Sequence, residues 1–343
     1  MPVYGPTMPS LAEGDMRRRE FIGFLGAATL PQAAHAQPAR MPVIGFLNAA
    51  SADSFAHVVR AFRLGLNETG FVEDRNVAIE YRWADDQYDR LPALAADLVR
   101  RGVSVIATGS NIVAAMAAGA ATKTIPIVFL MGTDPVKSGL VASLNRPGGN
   151  ITGITTLNME LAPKRLEVLR ELVPAATTLG VLINPINDPA VVANETRHAQ
   201  ATARTLGLQA IHILQASTNR DLGLAFATLN QMRAGGLAIA ADTFFSSQST
   251  VLAALALQHA VPTVSPYREF VTAGGVMSYG GSVTEQYRQV GVYTGRILKG
   301  ERPTELPVQQ ASKVELLINL KTAKAMGLAV PASLLARADE VTE

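Results

Sequence analysis

The 343-residue chain contains no cysteine. Disulfides, thiolate metal sites and cysteine nucleophiles are therefore excluded, as is a lipid-bearing cysteine near the N-terminus. Charge is sparse: 17% of residues are charged and the formal net charge is +2. No block of Lys and Arg is long enough to present a nucleic-acid surface. The first apolar strand runs into "NAASAD" rather than a Gly-x-Gly-x-x-Gly turn, and no Gly-x-Ser-x-Gly elbow occurs. The histidines (His35, His57, His198, His212 and His259) are scattered, none with an acidic or histidine partner at metal spacing. No nucleophile, base and orienting group converge in the sequence, so neither a catalytic set nor a cofactor or metal is expected.

Hydrophobic residues make up 48% of the chain, enough for two ordinary domains around separate cores. The N-terminus reads as an address. From Met16 it has a basic start (Arg17, Arg18, Arg19), a mostly apolar run from Phe21 to Leu30, and Ala34-His35-Ala36 as a small-x-small cleavage pattern. Arg18-Arg19-Glu20-Phe21-Ile22 resembles a twin-arginine export motif. The apolar run falls short of the roughly 20 residues a membrane span needs. Residues 1–36 are thus expected to be a cleaved export signal, with Gln37 the first mature residue, Met16 an alternative start and the periplasm the destination.

The mature chain alternates strand and helix. "VIGFLN" (43–48), "NVAIEYRWA", "VSVIATG" (103–109) and "IPIVFLM" (125–131) read as strands, and Ser51–Ser54 as caps for a helix that Gly70 stops. "NRPGGNITGITT" (145–156) shows no helix and reads as a crossing between lobes. A second series comes next: 179–184, 208–214, 236–241 and 262–267, with Asp188-Pro189 as an N-cap and first-turn proline. Such alternation implies parallel sheets with helices on both faces. "VIGFLNAASAD" and "LGVLINPINDP" echo one another, which would set Asn48 and Asn184 on opposite walls of one cleft. Ser282–Glu285 reads as a capping box opening a helix over 283–298 that returns to the first lobe, while the final strand returns to the second. The expected domains are 41–153 plus 281–300, and 154–280 plus 301–330, with 331–343 as a tail.

Ligands of open parallel sheets bind beyond the carboxyl ends of the strands. The loops there carry Asn48, Ser51, Ser110, Asn111, Thr133, Asp134, Asn187, Asp242 and Thr243. "GTDPVKSG" (132–139) has the spacing of a phosphate loop but not its chemistry. Val136 stands where a glycine is needed, Pro135 removes an N–H donor, and Asp134 would repel a phosphate. Asp134 either meets a cation or hydroxyl, or simply forms a turn before Pro135. Ser110-Asn111 opens a helix whose N-terminus suits a carboxylate, though capping alone would explain it. Of the aromatics Trp83, Tyr267 and Tyr279, the last, in "GGVMSYGG", is the preferred cleft residue.

These stretches, with "IPIVFLMGTDPVKSGLVASLNRPGGNITGI", "VLINP" and "GGVMSYG", make the chain similar to periplasmic solute-binding proteins of ABC transporters. Within these it resembles the tryptophan- and other aromatic-amino-acid-binding lipoproteins of bacteria. The resemblance spans essentially all of 41–330. It implies an α/β fold of two Rossmann-like lobes with parallel sheets joined by a three-stranded hinge, the type I periplasmic binding protein. It also implies closure on a small organic solute and delivery to a membrane permease with its separate ATPase, the carrier being monomeric. The family's strand-end loops fall on Asn48, Ser110, Asn111, Thr133, Asp134, Asn184 and Asp242. In the resulting picture Ser110 and Asn111 hold a carboxylate, Asp134 and Asp242 attract an ammonium or hydroxyl, and Tyr279 stacks on the remainder. Lacking the lipid-bearing cysteine, the chain would be free in the periplasm. Three other readings stay open: a sensory receptor using the same closure, an exported enzyme, and the effector domain of a transcription regulator. The last would need a helix-turn-helix where the export signal stands.

Overall fold

The computed structural model describes residues 41–343, apart from Leu157, Ser312 and the side chain of Ser110. The export-signal reading lies outside the described residues. Thirteen strands occur in chain order: β1 (Val43–Asn48), β2 (Ala78–Trp83), β3 (Val105–Ser110), β4 (Ile127–Met131), β5 (Ile151–Thr155), β6 (Thr178–Ile183), β7 (Ala210–Gln215), β8 (Leu237–Ile239), β9 (Thr263–Ser265), β10 (Met277–Gly281), β11 (Gln309–Gln310), β12 (Val314–Asn319) and β13 (Glu340–Thr342). They form two sheets, β11-β5-β4-β3-β1-β2 and β13-β12-β10-β9-β8-β6-β7. Every pairing is parallel except β10 with β12. This is the two-sheet α/β architecture that the alternation implied.

The central strands are continuous apolar runs because helices cover both faces of each sheet. Alternation along β1 sends Phe46 to one core, with Phe62 and Tyr287, and Leu47 to another, with Leu98 and Phe129. In the second sheet Leu179, Leu182, Phe226 and Phe270 share a third core. No described helix is long and apolar enough to cross a membrane.

Three details differ from expectation. The segment 145–156 is not wholly a crossing, since Ile151–Thr155 is a buried strand between β4 and β11. Its alternating Thr and Ile are β-formers, and Gly153 fits tightly against Phe129. Helix Ala56–Glu68 is capped not by Ser51–Ser54 but by Phe55, with no side-chain bond. The Ser51 and Ser54 hydroxyls instead bond each other at 2.9 Å. The last residues do more than trail: Glu340–Thr342 adds a parallel edge strand to the second sheet.

The chain passes between the sheets three times: after β5, from β10 into helix Val283–Leu298, and from β11 into β12. Helix Val283–Leu298 leaves the second sheet and packs on helix Ala56–Glu68 and on β3, β4 and β5 of the first. The approach is so close that only glycine fits at the contact. A Cβ on Gly291 would stand 2.1 Å from the Phe62 carbonyl oxygen, and one on Gly65 would stand 1.9 Å from the Arg288 carbonyl oxygen. Gly291→Ala should therefore force the two backbones apart and cost about 1–3 kcal/mol, as overpacking does. The thermal midpoint should fall for Gly291→Ala and hold or rise for Gly223→Ala, a helical position where a Cβ meets nothing within 4 Å. Equal midpoints for the two variants would contradict this packing.

Candidate functional site

The carboxyl ends of strands from both sheets meet around one narrow pocket, partly open to solvent, with a cavity volume of about 30 Å³. From the first sheet come Asn111 and Ile112 after β3, Gly132 and Thr133 after β4, and Thr156, Asn158 and Met159 after β5. From the second come Asn187 after β6, Ala241, Asp242 and Thr243 after β8, Tyr267 after β9, and Val283 and Gln286 after β10. Local structure explains the aim of several. Ala107 faces Val128 but Ser110 faces Leu130, so β3 carries one residue more than β4 at its end. The bulge bends the strand just before Asn111. The Asn111 side chain accepts from the Val113 N–H at 2.7 Å and so caps helix Ile112–Ala121. Asn158 accepts from the Gly281 N–H at 3.0 Å, which ties the first crossing to the second.

Among the described residues Asp242 is the one acidic side chain in the pocket wall, and no basic side chain lines it. It is 5% exposed. Its Oδ1 accepts from Asn184 Nδ2 and the Phe244 N–H, each at 2.9 Å, and its Oδ2 from Asn187 Nδ2 at 3.1 Å. The Tyr88 hydroxyl, reaching across from beyond the end of β2 in the first sheet, donates to both oxygens at 3.1 Å. Burial pushes this carboxyl above its usual range, while the Asn184, Phe244 and Tyr88 donors pull the other way. Burial first, then the charges of Asp242 and Asp86, keeps the Tyr88 hydroxyl protonated well past its ordinary value. A second bridge lies beside it, where Ser247 Oγ donates to Asp86 Oδ2 at 3.2 Å. The pocket is thus drawn shut by two side-chain bridges between the sheets. Elsewhere the second sheet buries Arg165 and Glu195. Burial lowers the Arg165 guanidinium to about 10 and raises the Glu195 carboxyl to about 8, each opposed by the other's charge.

The eleven residues singled out from the sequence separate by place. Asn111, Thr133, Asn187, Asp242 and Thr243 line the pocket. Asn48 and Asn184 stand one layer behind it and do the same job in each sheet. Each side-chain carbonyl accepts the N–H two residues on (Ala50, Ile186), and each Nδ2 donates onward, to Tyr287 and to Asp242. The sequence echo is thus a repeated loop anchor. Asp134 accepts from the Val136 and Lys137 N–H groups and pairs with the Lys137 ammonium at 3.5 Å. It sits in a turn on an outer groove with Glu160, Asp188 and Arg197, which adjoins the pocket through Ile112, Thr133 and Met159, and it is not itself in the pocket wall. Ser51 is held by Ser54, away from the pocket. Of Ser110 only the backbone, at the end of β3, is described. Tyr279 packs against the second sheet's core rather than the pocket, because strand alternation turns it there, and Tyr267 lines the pocket in its place. Gln286, Asn158, Thr156 and Tyr88 were missed. Reading the glycine-rich "MSYGG" as a strand and applying the strand-end rule to the Ser282-capped helix after it would have found Gln286.

The family model described as ABC transporter substrate binding protein matches residues 43–342. The chain belongs to that family. The tyrosine-binding protein of Clostridioides difficile (strain R20291) is 26% identical over 269 residues, covering 78% of this chain and 76% of that protein. The crystal structure of a conserved domain protein from Vibrio cholerae superposes with a TM-score of 0.79 at 25% identity, over 88% of this chain and 100% of that one. An ABC domain from Streptococcus pneumonia solved with L-Trp gives 0.74 at 24% identity, over 88% of this chain and 99% of that one. These neighbours share the type I periplasmic binding protein fold of the substrate-binding proteins.

The bridge through Asp86 makes stability sensitive to pH. Burial, reinforced by the charges of Asp242 and Asp85 and opposed by the Ser247 hydroxyl, lifts the Asp86 carboxyl from 3.8 to about 6. A raised acid favours the folded chain while protonated, so that contribution fades as pH rises through the window from about 4 to about 6. Asp86→Asn keeps the acceptor and suits the left-handed backbone there (φ 60°). The variant's melting temperature should gain on the wild type between about pH 4.5 and about pH 7.5. A constant difference across that range would contradict the assignment.

Proposed function

We propose that the chain is the periplasmic solute-binding component of an ABC importer. It captures a free amino acid between two lobes, one built on each sheet, and hands it to a membrane permease driven by its ATPase. The observation that carries this reading is the charge pattern of the pocket. A buried carboxylate, Asp242, stands among amides and hydroxyls with no basic side chain in the wall. Such a pocket suits an ammonium group. A carboxylate on the same solute is served by the N-termini of two long helices, Ile112–Ala121 and Val283–Leu298, whose first residues Ile112 and Val283 line the pocket. Ile112, Met159, Val283 and Tyr267 offer the apolar face for a side chain. The relative named for tyrosine supports the same solute class.

In this reading Asn111, Thr133, Asn187, Asp242 and Thr243 meet the solute, while Asn48 and Asn184 hold the loops that carry them. Ser51, Asp134 and Tyr279 lie outside the contact. Ser110 contributes through its place before Asn111. The protein works as an exported monomer, its signal removed near Ala36. A solute touching both lobes favours the closed form because only that form makes both sets of contacts.

A thermal-shift screen of the purified protein against the amino acids tests this. L-tyrosine, L-tryptophan or a similar amino acid should raise the melting temperature, with stabilisation of about 2.7 kcal/mol at a concentration a hundredfold above Kd. A flat response to every amino acid, or consumption of a solute by the purified protein, would contradict the proposal.

A further inference from the structure

Gln286 is a polar side chain in the pocket wall that the protein itself leaves unused. It is 2% exposed, yet neither its Oε1 nor its Nε2 has a hydrogen-bond partner among the described residues. Thr133 Oγ1, in the wall contributed by the end of β4, is likewise buried and unpartnered. Folded proteins leave few such groups, because an unmet buried donor or acceptor keeps its full desolvation cost. Thr108 and Ser278 also hold unpartnered hydroxyls, but neither lines the pocket. The fold makes room for Gln286. A Cβ on Gly281 would stand 2.6 Å from Nε2. Gln286 also rides the helix held to the first sheet through Gly65 and Gly291, so it faces the pocket from a rigid support. The oxygens of Asp242, by contrast, are engaged by Asn184, Asn187, Phe244 and Tyr88. Asp242 supplies charge, and a solute's direct hydrogen bonds have to come from elsewhere.

Taking the pocket as an amino-acid site, we propose that Gln286 and Thr133 read the solute's α-ammonium–carboxylate head. Gln286 Nε2 donates to the carboxylate beside the helix N-termini. Gln286 Oε1 and Thr133 Oγ1 accept from the ammonium. The two residues therefore select solutes that carry both groups on neighbouring atoms and reject those that carry one.

The test uses titration calorimetry with L-tyrosine, tyramine, which lacks the carboxylate, and 3-(4-hydroxyphenyl)propionate, which lacks the ammonium. The wild type should bind L-tyrosine at least tenfold more tightly than either truncated compound. Gln286→Met and Thr133→Val should each weaken L-tyrosine at least tenfold and narrow that gap. Their ligand-free melting temperatures should hold or rise, because each removes an unpartnered buried group. A ligand-free midpoint that falls in both variants would mark the groups as structural and overturn the inference. Wild-type affinity in both variants would overturn it too, while leaving the amino-acid reading intact. A wild type that binds none of the three would bring down that reading and this inference together.

Discussion

Asp242 is a carboxylate in a place where water cannot serve it, and the surrounding chain is arranged to do so instead. Two asparagines and a backbone N–H from its own sheet hold it, and the Tyr88 hydroxyl from the other sheet completes the set. A buried charge is tolerable only when donors surround it. Only the Tyr88 donor crosses between the sheets, so the full set of donors is met where the two groups of strand ends stand together.

The remaining polar groups of the pocket obey the same rule differently. Asn111 is engaged as a helix cap and Asn158 as a tie between crossings. Gln286 and the Thr133 hydroxyl have no partner among the described residues. In the reading proposed above, a solute supplies the missing half of each of these bonds. The glycine contact between helices Ala56–Glu68 and Val283–Leu298 belongs to this arrangement. It fixes on the first sheet a helix that begins at the end of the second.

The sheets were legible because "VIGFLN" and "IPIVFLM" are short apolar runs ended by polar loops, a pattern that parallel burial imposes. Asn111, Thr133, Asn187, Asp242 and Thr243 were legible for the same reason, as the small polar residues next after such runs. Other features depended on chain separated by long stretches of sequence. Tyr88 meets Asp242 across 154 positions, and Gly281 meets Asn158 across 123. No local pattern records either meeting. Tyr279 was preferred over Tyr267 for its glycine-flanked setting, and only the pleat of β10 decides that it turns to the core. Asp134 was ambiguous in the sequence because a strand-end carboxylate before Pro135 can meet a ligand or close its own turn, and here it accepts the Val136 and Lys137 N–H groups.

Small-angle X-ray scattering of the purified protein, titrated with L-tyrosine at constant pH, puts the clamp itself on trial. The radius of gyration should fall in step with saturation, as the strand ends are drawn together around the solute. A curve that stays unchanged while calorimetry shows the site filling would contradict the clamp.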